Sequence, residues 1–129
     1  MLNYARQRAM EALRRPDRAV LATSGPAGLQ ASEYPCEADG LCLYLLIPQT
    51  SDHLFNLEHD PVVTMISEWW ELKGEACVLP PNPPGLELGL LREPEAEWCR
   101  LVRIEPHQIQ IRREKGWGYL ETIEPRGHS

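Results

Sequence analysis

Apolar residues recur at helical spacing in the opening stretch, at Leu2, Ala5, Ala9, Met10 and Leu13, until Pro16-Asp17 ends the pattern. The spacing predicts a first helix over residues 1–15. After it the period shortens. RAVLATS is a brief apolar run with a β-branched residue, GPAG is a turn, and LQASEYPCEA reads as a second strand. Pro35 inside that strand implies a sheet edge or a bulge. Asp39-Gly40 signals a hairpin, and LCLYLLIP beyond it is too apolar for a strand with one wet face, which puts it in the middle of the core. VVTMISE and WELKGEACVL follow as two more strands joined near Glu68 to Trp70, with Gly74 marking a bulge or a close backbone approach.

The Pro/Gly-rich stretch PPNPPGLELGLLREPEA, residues 80–96, predicts a long loop with one helical turn. WCRLVRIE and HQIQIRR, separated by Pro106, read as a hairpin that closes the sheet, with Ile109 and Ile111 alternating against Gln108 and Gln110. The tail over 114–129, which carries Trp117 and Tyr119 beside glycines, reads as an ordered crossing before a frayed end. Six strands with hairpin links and few helices predict a mainly β fold. The expected form is a six-stranded antiparallel Greek-key barrel with an N-terminal helix and short connecting helices, because a parallel sheet would need a helix after each strand.

Composition narrows the picture. A chain of 129 residues, 43% of them hydrophobic, can bury one core, so 1–129 is expected to be a single domain. A formal net charge of -6 disfavours nucleic acid and anionic membrane surfaces as partners. No apolar run approaches the roughly 20 residues that cross a bilayer. The arginines of the amphipathic N-terminus suggest a transit peptide, but the stretch lacks serines and leads straight into the first strand, so a structural helix is expected. Cys36, Cys42, Cys77 and Cys99 form no C-x-x-C pair, which fits reduced thiols in a cytoplasm. His53 and His59, six apart, fall on different sides of a helix, and no metal is expected.

The chemistry concentrates in PQTSDHLFNLEHDP, Pro48 to Pro61. Thr50, Ser51 and Asp52 are candidate N-caps of a helix that stops at Asp60-Pro61. Two readings follow from the residues. Free N–H groups at the helix start, with the Thr50 and Ser51 hydroxyls and His53, bind a phosphate. Alternatively, Ser51 or Asp52 only caps the helix.

The order and spacing of LATSGPAGLQAS, DGLCLYLLIPQTSDHLFNLEHDPVVTMI, ELKGEACV and CRLVRIEPHQIQI resemble the pyridoxamine 5'-phosphate oxidase-like family, the FMN-binding split β-barrels, over most of Arg18 to Ile111. The resemblance implies a homodimer with FMN in two clefts between subunits and two-electron transfer through the flavin. It also implies a phosphate site at the helix start, where members often carry Ser or Thr followed by Arg and Lys. Here the stretch is Ser51, Asp52, His53, so both cations have changed and one has become an acid. Losing a charge-assisted hydrogen bond costs about 1.5–3 kcal/mol, and repulsion adds to it.

Compensation would come from a protonated His53, from Lys73, or from Arg18. The cofactor-binding residues expected are therefore Gln49, Thr50, Ser51 and His53 at the phosphate end, with Lys73 and Trp117 closing the cleft. Trp69, Trp70 and Trp117 either line the flavin or fill a dimer interface. The flavin carries the reaction, so no catalytic residue is assigned. The rival reading is a non-flavin split-barrel dimer acting as a binding or regulatory protein, for which Asp52 speaks. Heme binding through His53 or His59 is a third.

Overall fold

The computed structural model describes residues 4–81, 83–113, 115 and 118–125. Helix α1 is Tyr4–Arg14, followed by strands β1 (Arg18–Thr23), β2 (Gln30–Asp39) and β3 (Cys42–Pro48). Helix α2 (Asp52–His59) leads into β4 (Val62–Ile66) and β5 (Trp70–Val78), and β6 (Cys99–Arg112) and β7 (Tyr119–Ile123) complete the sheet. The strand order is β3-β2-β1-β4-β5-β6-β7, and β3 also pairs with β6. That last pairing, from Leu43 opposite Ile104 to Pro48 opposite Cys99, closes β1 to β6 into a six-stranded antiparallel barrel.

The barrel interior is apolar. Leu21, Leu43, Leu45, Ile47, Met65 and Ile104 have no exposed surface, as the alternation along their strands requires. Helix α1 lays Ala9, Ala12 and Leu13 against this core. Trp70 seals the contact: it is completely buried, and its indole Nε1 donates to the Ala12 carbonyl at 2.9 Å. Its expected place in a flavin cleft or interface is therefore corrected to the barrel core. Burial pushes the Cys36 thiol up to about 12, with nearby Asp17 adding to the effect, so this cysteine is a packing group.

The expected hairpin around Pro106 is instead one continuous fourteen-residue strand. Two circumstances let proline sit inside it. Pairing with β3 ends at Ile104 and pairing with β7 begins at Ile109, so Pro106 meets no donor requirement on that side. On the other side, the register with β5 shifts between Lys73 and Gly74. A Cβ at Gly74 would lie 2.4 Å from the Glu105 carbonyl oxygen, so only glycine allows this approach. Pro35 is placed by the same rule, where β2 leaves β1 and begins to pair with β3 at Cys36.

The expected crossing in the tail contains a strand, β7, that pairs with the end of β6. Arg8 of α1 holds it through a two-pronged contact with Glu121, Nε to Oε1 at 2.7 Å and Nη2 to Oε2 at 2.6 Å. Trp117 lies outside the described residues. The Pro/Gly-rich segment carries two 3₁₀ turns, Gly89–Arg92 and Pro94–Trp98, in place of the single one expected. Beneath it Leu79, Leu88 and Leu90 bury a second cluster with Tyr44, Leu46 and Leu101 on the outer face of β3 and β6. The outer face of β3 is thus covered too, which accounts for a strand that is apolar throughout.

Trp70→Ala removes the largest core side chain and leaves the Ala12 carbonyl without its indole donor. The expected loss is about 3–5 kcal/mol of stability, read from urea unfolding followed by circular dichroism.

Candidate functional site

Helix α2 starts where the apolar run of β3 ends. Ser51, in extended backbone conformation, accepts the His53 N–H at 3.1 Å and so caps the helix, while Asp52 supplies an acid to the first turn. Three neighbouring donors are also occupied. Gln49 N–H bonds to the Trp98 carbonyl at 3.0 Å, Ser51 N–H to Pro48 at 3.0 Å, and Leu54 N–H to Ser51 at 3.1 Å. A phosphate arriving here would meet an exposed carboxylate at Asp52 and, at Gln49, Ser51, His53 and Leu54, backbone donors that already have partners.

Below the cap is a buried polar network. His53 is 2% exposed, with Nδ1 2.8 Å from Thr23 Oγ1 and Nε2 3.0 Å from Ser32 Oγ. Tyr34 packs edge-on against the imidazole and its hydroxyl lies 3.2 Å from Ser51 Oγ. Asn56, with no exposed surface, accepts the Ala27 N–H at 2.9 Å and donates from Nδ2 to Gly28 O and Thr23 Oγ1. It thereby ties the β1–β2 turn to α2. Gly25 is required for the approach, since a Cβ there would come within 2.8 Å of Asn56 Oδ1.

One histidine tautomer satisfies this wiring with a single role at each contact. Asn56 Oδ1 is fixed by Ala27 N–H, so Nδ2 donates to Thr23. Thr23 then gives its own proton to His53 Nδ1, and the ring proton sits on Nε2, donated to Ser32. In that arrangement Nε2 carries the proton and cannot act as a base toward Ser32. Burial pulls the His53 pKa below its ordinary 6.5, against a smaller upward pull from Asp52. The imidazole is therefore a neutral core group, and the expectation that it supplies a positive charge to a phosphate is corrected accordingly.

Of the cavities that border the barrel elsewhere, the two larger matter here. One, of about 510 Å³, is lined by Arg15, Arg18, Arg112 and Trp69, with Asp17, Glu33 and Glu68 also in its wall. Arg18 Nε is 2.9 Å from Glu33 in an exposed pair. The other, of about 730 Å³, lies under the proline-rich segment, with Leu46 and Leu101 among its lining.

No family model and no curated protein matches the sequence. Solved structures do match. The putative pyridoxamine 5'-phosphate oxidase of Listeria innocua superposes with TM-score 0.62 at 16% identity, over 83% of this chain and 97% of that one. The fold is that of the pyridoxamine 5'-phosphate oxidase-like split barrels. A FAD-binding protein of Mesorhizobium loti matches with TM-score 0.61 at 13% identity, over 80% of this chain and 90% of that one. A heme binding protein of Mycobacterium smegmatis gives 0.64 at 19% identity; it covers 98% of this chain, which spans 60% of that longer one. These identities establish the fold, and the ligand has to be argued from the site.

The split barrel disperses the residues singled out in the sequence. Ser51 and His53 meet through the cap, Thr50 and Asp52 stay exposed beside them, and Gln49 lines the larger cavity. Lys73 is exposed on β5 opposite Thr64 and Gln108, and lines neither cavity. Arg18 and Trp69 do come together, joined by Arg15 and Arg112, which the sequence reading did not single out. Those two arginines lie nearly a hundred residues apart, and the pairing of β6 with β5, which sets Arg112 beside Trp69 at the β4–β5 turn, brings them to one cavity. Thr23 and Ser32 were missed as well. Asn56 alone left a local trace, a polar residue beside Leu57 on the buried side of α2.

His53 has its folded pKa below its unfolded value, so between the two the unfolded chain binds the extra proton. Its contribution to stability is whole above pH 6.5 and falls as the pH drops below that value. Urea unfolding across that range should show the decline, and His53→Asn should flatten it. Asn56→Ala, which orphans the Ala27 N–H and the Gly28 carbonyl, should cost about 1–3 kcal/mol. Faster amide exchange in the β1–β2 turn would report the same loss.

Proposed function

We propose that the protein is a split-barrel homodimer that binds an anionic, planar aromatic cofactor of the FMN class, with the anion received by arginines at the α1–β1 junction and not by α2. The observation that carries this reading is the cavity in which Arg15, Arg18 and Arg112 converge beside Trp69. Guanidinium forks match phosphate oxygens two at a time, and a half-buried indole offers a flat face to an aromatic ring. Three acids in the same wall balance the three arginines in formal charge. Affinity then rests on bidentate geometry, with the phosphate competing against Glu33 for Arg18. FMN, when bound, supplies two-electron transfer, while the chain positions it and excludes water.

The dimer is supported by apolar side chains left on the outside of the barrel. Val62 is 56% and Leu29 81% exposed, and Val20, Ala22 and Ile66 are only partly covered on the same outward side of β1 and β4. A second copy would bury such a face.

The serine cap and the exposed Asp52 at the N-terminus of α2 favour a second reading, a dimer that holds no flavin and acts as a binding or regulatory protein. One experiment separates the two. The purified protein is incubated with FMN, freed of unbound ligand and examined by visible absorption, while light scattering gives its mass. Retained flavin absorbance is expected, weakened about tenfold or more by Arg112→Ala, the loss set by one charged hydrogen bond. Asp52→Arg should leave the affinity unchanged. Tighter binding in that variant would return the phosphate to α2, and a colourless dimer that rejects FMN would establish the second reading.

A further inference from the structure

The larger cavity shares no lining residue with the Arg112–Trp69 cavity and has a different chemistry. Its floor is Leu46 and Leu101, paired directly across β3 and β6 on the outer face of the barrel. Pro80, Pro81, Pro83 and Pro94 line it from the segment above. Prolines have no N–H, so that wall offers apolar surface and almost no backbone donors. Three charged groups take part: Glu93, Glu97 and Arg100. Arg100 is partly engaged: its Nη2 donates to the Leu79 carbonyl at 2.7 Å, and its Nε is buried without a partner among the described residues. Glu93 and Glu97 are exposed, and neither is ion-paired among the described residues. The cavity is thus a space of about 730 Å³ with an apolar floor and a proline wall, and with one carboxylate in excess among its charged groups.

We infer that this cavity binds a small amphipathic monocation, an apolar body of drug-like size carrying one ammonium group. The volume falls within the usual span for such ligands, about 300–1,000 Å³. The leucine floor and proline wall take the apolar body, and the ammonium donates to Glu93 and Glu97, which have acceptors to spare. One positive charge neutralises the lining; an anion would add a second uncompensated negative charge. The site stands whether or not the protein carries a flavin, since it touches neither Arg112 nor Trp69.

The test uses three compounds with one apolar body and three charges: 4-phenylbutylammonium, 4-phenylbutanol and 4-phenylbutyrate. Each is titrated calorimetrically into the full chain at pH 7 and low salt. The amine is expected to bind one per chain, the alcohol more weakly, and the carboxylate not at all. Glu93→Gln combined with Glu97→Gln should weaken the amine about fivefold or more while leaving the alcohol unchanged, since each exposed pair is worth up to about 1 kcal/mol. Ala96→Phe, which fills the space, should abolish both; unfolding by circular dichroism confirms that each variant is folded. Equal binding of all three compounds, or an amine affinity untouched by the glutamine pair, would overturn the inference.

Discussion

The pairing of β3 with β6 is the constraint on which the rest depends. Six rungs join strands more than fifty residues apart in sequence and turn an open sheet into a closed barrel. Closure decides what each face of β3 sees. Leu43, Leu45 and Ile47 point into the barrel, while Tyr44 and Leu46 face outward and have to be covered by something else. The proline-rich segment supplies that cover. Its two short 3₁₀ turns are positioned by side-chain contacts such as Glu37, which accepts the Leu90 N–H at 3.1 Å. The larger cavity is what remains where the cover and the strand pair fail to meet, so it follows from closure as much as the core does.

At the other end of β3 the chain has used its helix start for itself. In a split barrel the entry to α2 is a natural receptor for an anion, because a helix N-terminus presents unpaired donors and a positive dipole end. Here the serine cap takes one of those donors, an aspartate sets a negative charge beside the others, and the imidazole that follows is buried in a network of its own. The gain is mechanical. Asn56, Thr23, His53 and Ser32 form one chain of hydrogen bonds that fastens the first hairpin to α2, and buried polar groups that are fully paired specify geometry strongly.

Much of the fold was legible from alternation and turn chemistry. The first helix, the central burial of β3, the stop of α2 at Asp60-Pro61 and the bulge at Gly74 each rest on a local signal that the tertiary structure leaves intact. Pro106 misled because a proline inside a strand is harmless only where a neighbour is absent, and that depends on which strands lie alongside. The site was read less well for the same reason. Thr50, Ser51 and Asp52 reveal a cap by their order alone, whereas the meeting of Arg15, Arg18 and Arg112 depends on the path of β6. His53 looked like a free cation because nothing in its neighbours announces that Thr23 and Ser32 will enclose it.

The two strand prolines have a consequence for how the barrel keeps its alignment. Pro35 and Pro106 each stand at a point where a long strand changes neighbours, Pro35 between β1 and β3 and Pro106 between β3 and β7. Were either pairing to creep past its proline, a carbonyl of the adjoining strand would face a ring instead of an N–H and remain unpaired. The rings are therefore end stops. They let a single strand serve two partners along its length, and they penalise shifts that carry either pairing past its ring, which hydrophobic alternation by itself would tolerate.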